Sequence, residues 1–205
     1  GASCPPTHFD LQANLATVPA IVDVQGYFYP QAGNVISVSP SGGDFATIVD
    51  AMAFLQGLID NSDPDAPAEG NAYIVEVGPG QYVGQVTMVP YVTIRGAGGT
   101  CATSITYAGG GAGTSTAAAV TTADQAFLES LCITATATGG PTVIGGIYVP
   151  AGGGGSSVTQ IYDVSVAVDG TGATDAYGVS AGTGSQLDLG LSQVNVAGAT
   201  TVNNG

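Results

Sequence analysis

Residues 36–59, ISVSPSGGDFATIVDAMAFLQGLI, lead through an acidic loop into residues 73–96, YIVEVGPGQYVGQVTMVPYVTIRG. The reading of this stretch decides the fold. It opens with a short alternating strand, Ile36 to Ser39, and a glycine turn. Apolar residues then fall at Phe45, Ile48, Val49, Met52, Leu55 and Ile59. That spacing predicts a helix with one apolar face, over about 44–60. Asp44 is placed as its N-cap or as a first-turn acid, and Asn61 and Pro64 to end it. Beyond the loop the pattern changes to strands at Tyr73–Val77, Val83–Met88 and Val92–Ile94, separated by glycine turns. A strand, one helix and then only short strands is the order expected of a parallel β-helix whose open end is covered by a helix.

Working outward, the repeat continues to the end of the chain. Residues 117–140, 145–172 and 176–200 can be laid over one another. Leu128, Ile161 and Leu191 form one column, Leu131, Val164 and Val194 a second, and Ile133, Val166 and Val196 a third. Val92 and Ile94 extend the last two columns back by one coil. Each column is expected to be an internal stack, with strands about 4.8 Å apart. An antiparallel sandwich also alternates strands with turns, but a helix ahead of the repeat and columns that hold favour the β-helix.

The motifs SPSGGDFATIVDAM, YIVEVGPGQYVGQVTM, VTIRGAG and TSITY together resemble the N-terminal end of pectin methylesterase-type right-handed β-helices. The likeness spans residues 36–108. It implies a right-handed parallel β-helix with an N-terminal capping helix. The family's chemistry does not follow. Its members supply two aspartates and an arginine from later coils, whereas here the corresponding strand reads Gly145 to Pro150 and no arginine follows Arg95. Gln125 comes too early in its coil to stand for the family's glutamine. The resemblance therefore implies the fold and not the esterase.

Composition narrows the function further. The chain has 205 residues, 44% of them hydrophobic and only 8% charged. One cation among Lys and Arg, against 15 acids, gives a net charge of −14. A surface that binds nucleic acid needs Lys and Arg on the phosphates, so nucleic acid is excluded as a partner. Anionic membrane is disfavoured for the same reason, and no stretch is apolar over a membrane-spanning length. Pectate-like polyanions fit only if calcium bridges the charges. A surface of Ser, Thr, Gly and Asn suits a secreted protein exposed to proteases. The chain begins Gly1-Ala2-Ser3-Cys4 and is read as already processed.

Residues 1–32 read as an extension and 33–205 as the β-helix domain. The extension contains an apolar strand pattern with Ile21, Val22, Val24, Tyr27, Phe28 and Tyr29. Two readings stand for it: a strand lying along its own domain, or an arm that pairs with another subunit. Cys4 is either a free thiol or a bond across that joint. Cys101 and Cys132 lie about one coil apart and are expected to form a disulfide. Asp60, Asp63, Asp65 and Glu69 bring hard oxygen ligands into one loop. They are read as a solvated helix end or as a calcium site; no other cofactor is expected.

Catalytic sets are not legible. Glu129, Asp163 and Asp188 occupy different positions in the repeat, which disfavours the paired carboxylates of a glycosidase. His8, the only histidine, lies in the extension. The expectation is an extracellular, cell-surface structural or adhesive protein rather than an enzyme. Its expected partner is itself, head to tail into a fibre, with surface glycans as a further partner. The alternative is a carbohydrate-binding or degenerate carbohydrate-active β-helix. An exposed row of aromatics would favour sugar binding, and most of the Tyr and Phe fall before residue 108.

Overall fold

The structure is a computed structural model describing residues 34–99, 101–151, 158–190 and 193–203. The extension, with Cys4, His8, Ile21, Val22, Val24, Tyr27, Phe28 and Tyr29, lies outside the described residues, as does its boundary with the domain. What is described is all-β apart from one α-helix and a short 3-10 turn at Thr114–Thr116. The strands are β1 Val35–Val38, β2 Tyr73–Val77, β3 Gly80–Val83, β4 Val86–Thr87, β5 Val92–Gly96, β6 Thr103–Gly109, β7 Ala118–Thr121 and β8 Phe127–Ala137. They continue as β9 Val143–Val149, β10 Val158–Asp169, β11 Asp175–Ala181, β12 Gln186–Gly190, β13 Gln193–Ala197 and β14 Thr201–Asn203.

The pairings between these strands are all parallel, and they run in three ladders. The first is β1-β2-β5-β8-β10-β12. The second joins β3, β6, the later half of β8, the later half of β10, and β13. The third is β4-β7-β9-β11-β14. Inward side chains stack along each. Ile36, Val75, Ile94, Leu128, Ile161 and Leu189 are successive register partners in the first ladder. Tyr82, Ile105, Ile133, Val166 and Val194 follow one another in the second. Val86, Val120, Ile147 and Val179 do so in the third. Most of these are fully buried in one contiguous core, whereas Leu189, last in the first ladder, is exposed and stands outside it. Parallel strands between other strands need aliphatic runs of this kind, because both neighbours continue the stack.

The registers correct several details of the sequence reading. Ile161 is opposite Leu189, not Leu191, and Val194 is opposite Val166, not Val164. Val196 is likewise opposite Val168 rather than Val166. The last coil is thus two residues out from the alignment read by pattern. Side chains alternate with a period of two, so such a slip leaves every residue on its face and the pattern cannot detect it. Ile94 extends the column of Leu128, whereas Ile105 extends that of Ile133. The expected strand Val83–Met88 is interrupted at Gly84, whose φ is +135°.

β8 and β10 each serve two ladders by turning a corner. Ser130 (φ 54°) and Asp163 (φ 53°) are left-handed at equivalent points. The residues before each corner pair in the first ladder and those after it in the second. Ser130 Oγ donates to Asp163 Oδ2 at 3.1 Å, tying the corners together.

The helix α1 spans Ile48–Asp60, with Ile48, Ala51, Met52 and Leu55 buried on its apolar face. It lies against β1, β2 and β4, at the β1 end of the ladders. Thr47, not Asp44, is its N-cap: Thr47 Oγ1 accepts the Asp50 N–H at 3.1 Å. Asp44 serves β1 instead, as described below. Asn61 ends the helix, as expected.

Candidate functional site: the outer face of the first ladder

The outward positions of the three ladders differ in chemistry. The second ladder presents short side chains such as Ser104, Cys132 and Ser165 in register. The outside of the third is partly covered, because Ala117, Ala118, Val143 and Tyr177 form a small second core there. The first ladder carries the long functional groups. One outward row reads Ser37, Glu76, Arg95, Glu129, Tyr162, Gly190 in successive strands. The adjacent row reads Ile74, Thr93, Phe127, Gln160, Asp188.

Strand pairing brings these groups together from distant parts of the chain. Arg95 Nε donates to Glu129 Oε2 at 2.6 Å, with Glu76 in register on the other side of the arginine. The only strong cation is therefore flanked by two acids. Both members of the ion pair are about one-third exposed or more, so solvent screens it and its contribution is small. Tyr162 OH donates to Asp188 Oδ2 at 2.7 Å. This hydrogen bond, together with slight desolvation and the Asp188 charge, pushes the phenol above its ordinary pKa. The Tyr162 ring lies over the backbone of Gly190, where a Cβ would run into it.

The three carboxylates that the sequence sets apart thus stay apart in role. Glu129 is engaged by Arg95 and Asp188 by Tyr162, while Asp163 accepts from Ser130. The Tyr162–Asp188–Gly190 group was not legible beforehand, since it depends on the register of β12 against β10.

The loop carboxylates are dispersed over a helix end and a turn. Asp60 Oδ1 accepts from Gln56 Nε2 at 2.8 Å, and Asp63 Oδ1 accepts the Asp65 N–H at 2.9 Å. Asn71 and Tyr73 hold the turn by donating to the Asp65 carbonyl at 3.0 and 2.7 Å. Among the described residues no three acidic, His or Cys side chains converge on a common point, Asp60, Asp63, Asp65 and Glu69 included.

Cys101 and Cys132 form a disulfide, with Cα atoms 4.6 Å apart across a separation of 31 residues. It ties the turn before β6 to β8. Cys132 is half-buried between the fully buried Leu131 and Ile133, which is the outward position that the pattern requires.

On the side of β1 away from β2, the backbone of Ser37 and Ser39 is engaged by the following segment. The Ser37 N–H and Oγ both donate to Asp44 Oδ2, at 2.8 and 2.7 Å. Phe45 takes the next positions: Ser39 N–H donates to its carbonyl, and its own N–H donates to the Ser37 carbonyl. The hydrogen bonds from Ser37 hold the Asp44 carboxyl below its usual pKa. At the other end, Leu189 and Val202 are exposed, although their partners Ile161 and Ala176 are buried.

No protein-family model matches the chain, and no curated protein matches it. Among the described residues, no helix is long and apolar enough to cross a membrane.

Proposed function

We propose that this chain is a right-handed parallel β-helix acting as an extracellular structural or adhesive module, and that it assembles end to end with further copies. The observation that carries the reading is the set of three parallel ladders with aliphatic stacks in register. A rod of this kind gains stability from each added coil and offers long, regular outer faces. Right-handed connection is the hand that parallel strands adopt in nearly all cases. The disulfide fits an oxidising compartment.

Among the described residues β12 and β13 pair with β10, and β14 pairs with β11; in the proposed assembly further strands add beyond them, whether from more of the same chain or from another molecule. In an end-to-end assembly β1 does not supply them, because Asp44 and Phe45 already occupy its edge. A strand from the 1–32 extension of another copy is the one proposed here, and it takes the second of the two sequence readings of that segment. Assembly also works against a net charge of −14, so it strengthens as salt screens the copies from one another.

Sedimentation velocity over a concentration series, at low and high sodium chloride, tests the reading alongside negative-stain microscopy. End-to-end rods that lengthen with concentration and salt are expected, and a chain lacking residues 1–32 should form none. A monodisperse monomer under all these conditions would refute assembly.

A further inference from the structure

Tyr162 has the properties of a stacking platform. It is 38% exposed, on the outer face of the first ladder. Tyrosine rings at such positions usually swing freely, but this one is held at both ends. Its body rests on Gly190, the residue directly opposite in β12, where any side chain would collide with it. Its hydroxyl is tied to Asp188 at 2.7 Å. The ring is therefore held against the Gly190 backbone along its Cδ1–Cε1 side while more than a third of the residue stays exposed. Little side-chain entropy is left to lose when something lies on it.

The groups around the ring are hydrogen-bonding ones at strand spacing. Glu129 is opposite Tyr162 in β8, and Gln160 lies two residues back on the same face. Asp188 retains acceptor capacity beyond the phenol. With strands about 4.8 Å apart, these groups border an area the size of one sugar ring.

We propose that Tyr162 is a binding subsite for a neutral pyranose unit of a polysaccharide. The apolar C–H face of the sugar stacks on the ring, and its hydroxyls bond to Glu129, Gln160 and Asp188. The carboxylates and the net charge of −14 select against uronic acids and sulfated sugars, whose charge would be repelled. This site would let a structural rod adhere to glycan, but it does not require that the rod assemble.

The test is affinity electrophoresis of the full chain through gels containing neutral glucan, xylan or mannan, followed by calorimetry with the matching hexasaccharide. At least one neutral glycan should retard the protein. Tyr162→Ala should weaken binding about tenfold, the scale of a lost aromatic stack. Tyr162→Phe keeps the ring and should stay within about threefold, a single hydrogen bond's worth. Gly190→Ala keeps the tyrosine but lifts its ring, and should weaken binding as Tyr162→Ala does. Circular dichroism of each variant establishes that it folds. The proposal is overturned if no neutral glycan retards the protein, if Tyr162→Ala binds as the parent does, or if tetramethylammonium binds at Tyr162 in preference to sugar. The last outcome would make the platform a cation site.

Discussion

Glycine opposite tyrosine occurs twice in register, and it places the rings. Gly190 lies under Tyr162, and Gly145 lies under Tyr177. Tyr177 is the buried case, 4% exposed, with its hydroxyl donating to the Thr114 carbonyl at 2.5 Å. A Cβ at position 145 would sit within that ring. Gly145→Ala should therefore destabilise the fold by about 2–3 kcal/mol, as overpacking does, measured by urea denaturation. Gly172→Ala is a useful comparison: its φ of +89° is strained for alanine but nothing crowds it, whereas Gly145 is crowded without lying in the left-handed region, so the two costs separate backbone strain from ring displacement. Burial, followed by the nearby Tyr148, pushes the Tyr177 phenol well above its ordinary range. The sign follows from the direction. Stability is full below the unfolded tyrosine value of about 10, and declines above it, because the unfolded phenol ionises while the folded one keeps its proton. Thermal melts between pH 8 and 12 should show this decline, and it should be smaller in Tyr177→Phe.

At the scale of elements, the β1 end of the ladders is closed by two devices that share one short segment. The helix start is fixed by Thr47, whose Oγ1 accepts from the Asp50 N–H and donates to the Asp50 carboxylate at 2.7 Å. Thr47→Ala should cost about 1 kcal/mol in denaturant titrations. The edge of β1 is closed by Asp44, and an acidic group on an edge strand also repels other edges. Asp44→Ala should leave the Ser37 N–H open, and the expected result is faster aggregation in light scattering with little change in circular dichroism. Acid should act in the same direction. The lowered carboxyl contributes its stability above the unfolded value, and loses it as pH falls through the folded one.

For the whole molecule, the disulfide is the one covalent tie between ladder strands and turns distant in sequence among the described residues. In the chain-entropy model, closing its loop stabilises by roughly 3 to 4 kcal/mol. Reduction, or a Cys101→Ser with Cys132→Ser variant, should lower the denaturation midpoint accordingly. The ladders themselves should persist, since their buried stacks do not depend on the sulfurs. A far-ultraviolet spectrum that collapsed on reduction in the absence of denaturant would contradict this.

The local pattern carried much of the fold. Tyr73–Val77 was legible to the residue, because alternation and a glycine turn bound it on either side. The apolar face of α1 was legible from Ile48, Met52 and Leu55, although its cap was not: Asp44 and Thr47 are both good caps, and only the edge of β1 decides between them. The disulfide was legible from coil spacing and from the outward position of Cys132. Three things were decided in the tertiary structure. The two-residue register of the last coil is invisible to a period of two. The corners at Ser130 and Asp163 carry no glycine to announce them; a polar side chain can take the left-handed conformation when a neighbouring coil fixes it. The Tyr162 platform exists only because that register sets Gly190 beneath the ring and Asp188 beside its hydroxyl. A sequence specifies which face a residue takes, since that depends on its near neighbours along the chain. Which residue it meets across the ladders depends on loop lengths and corner geometry, and only packing settles those.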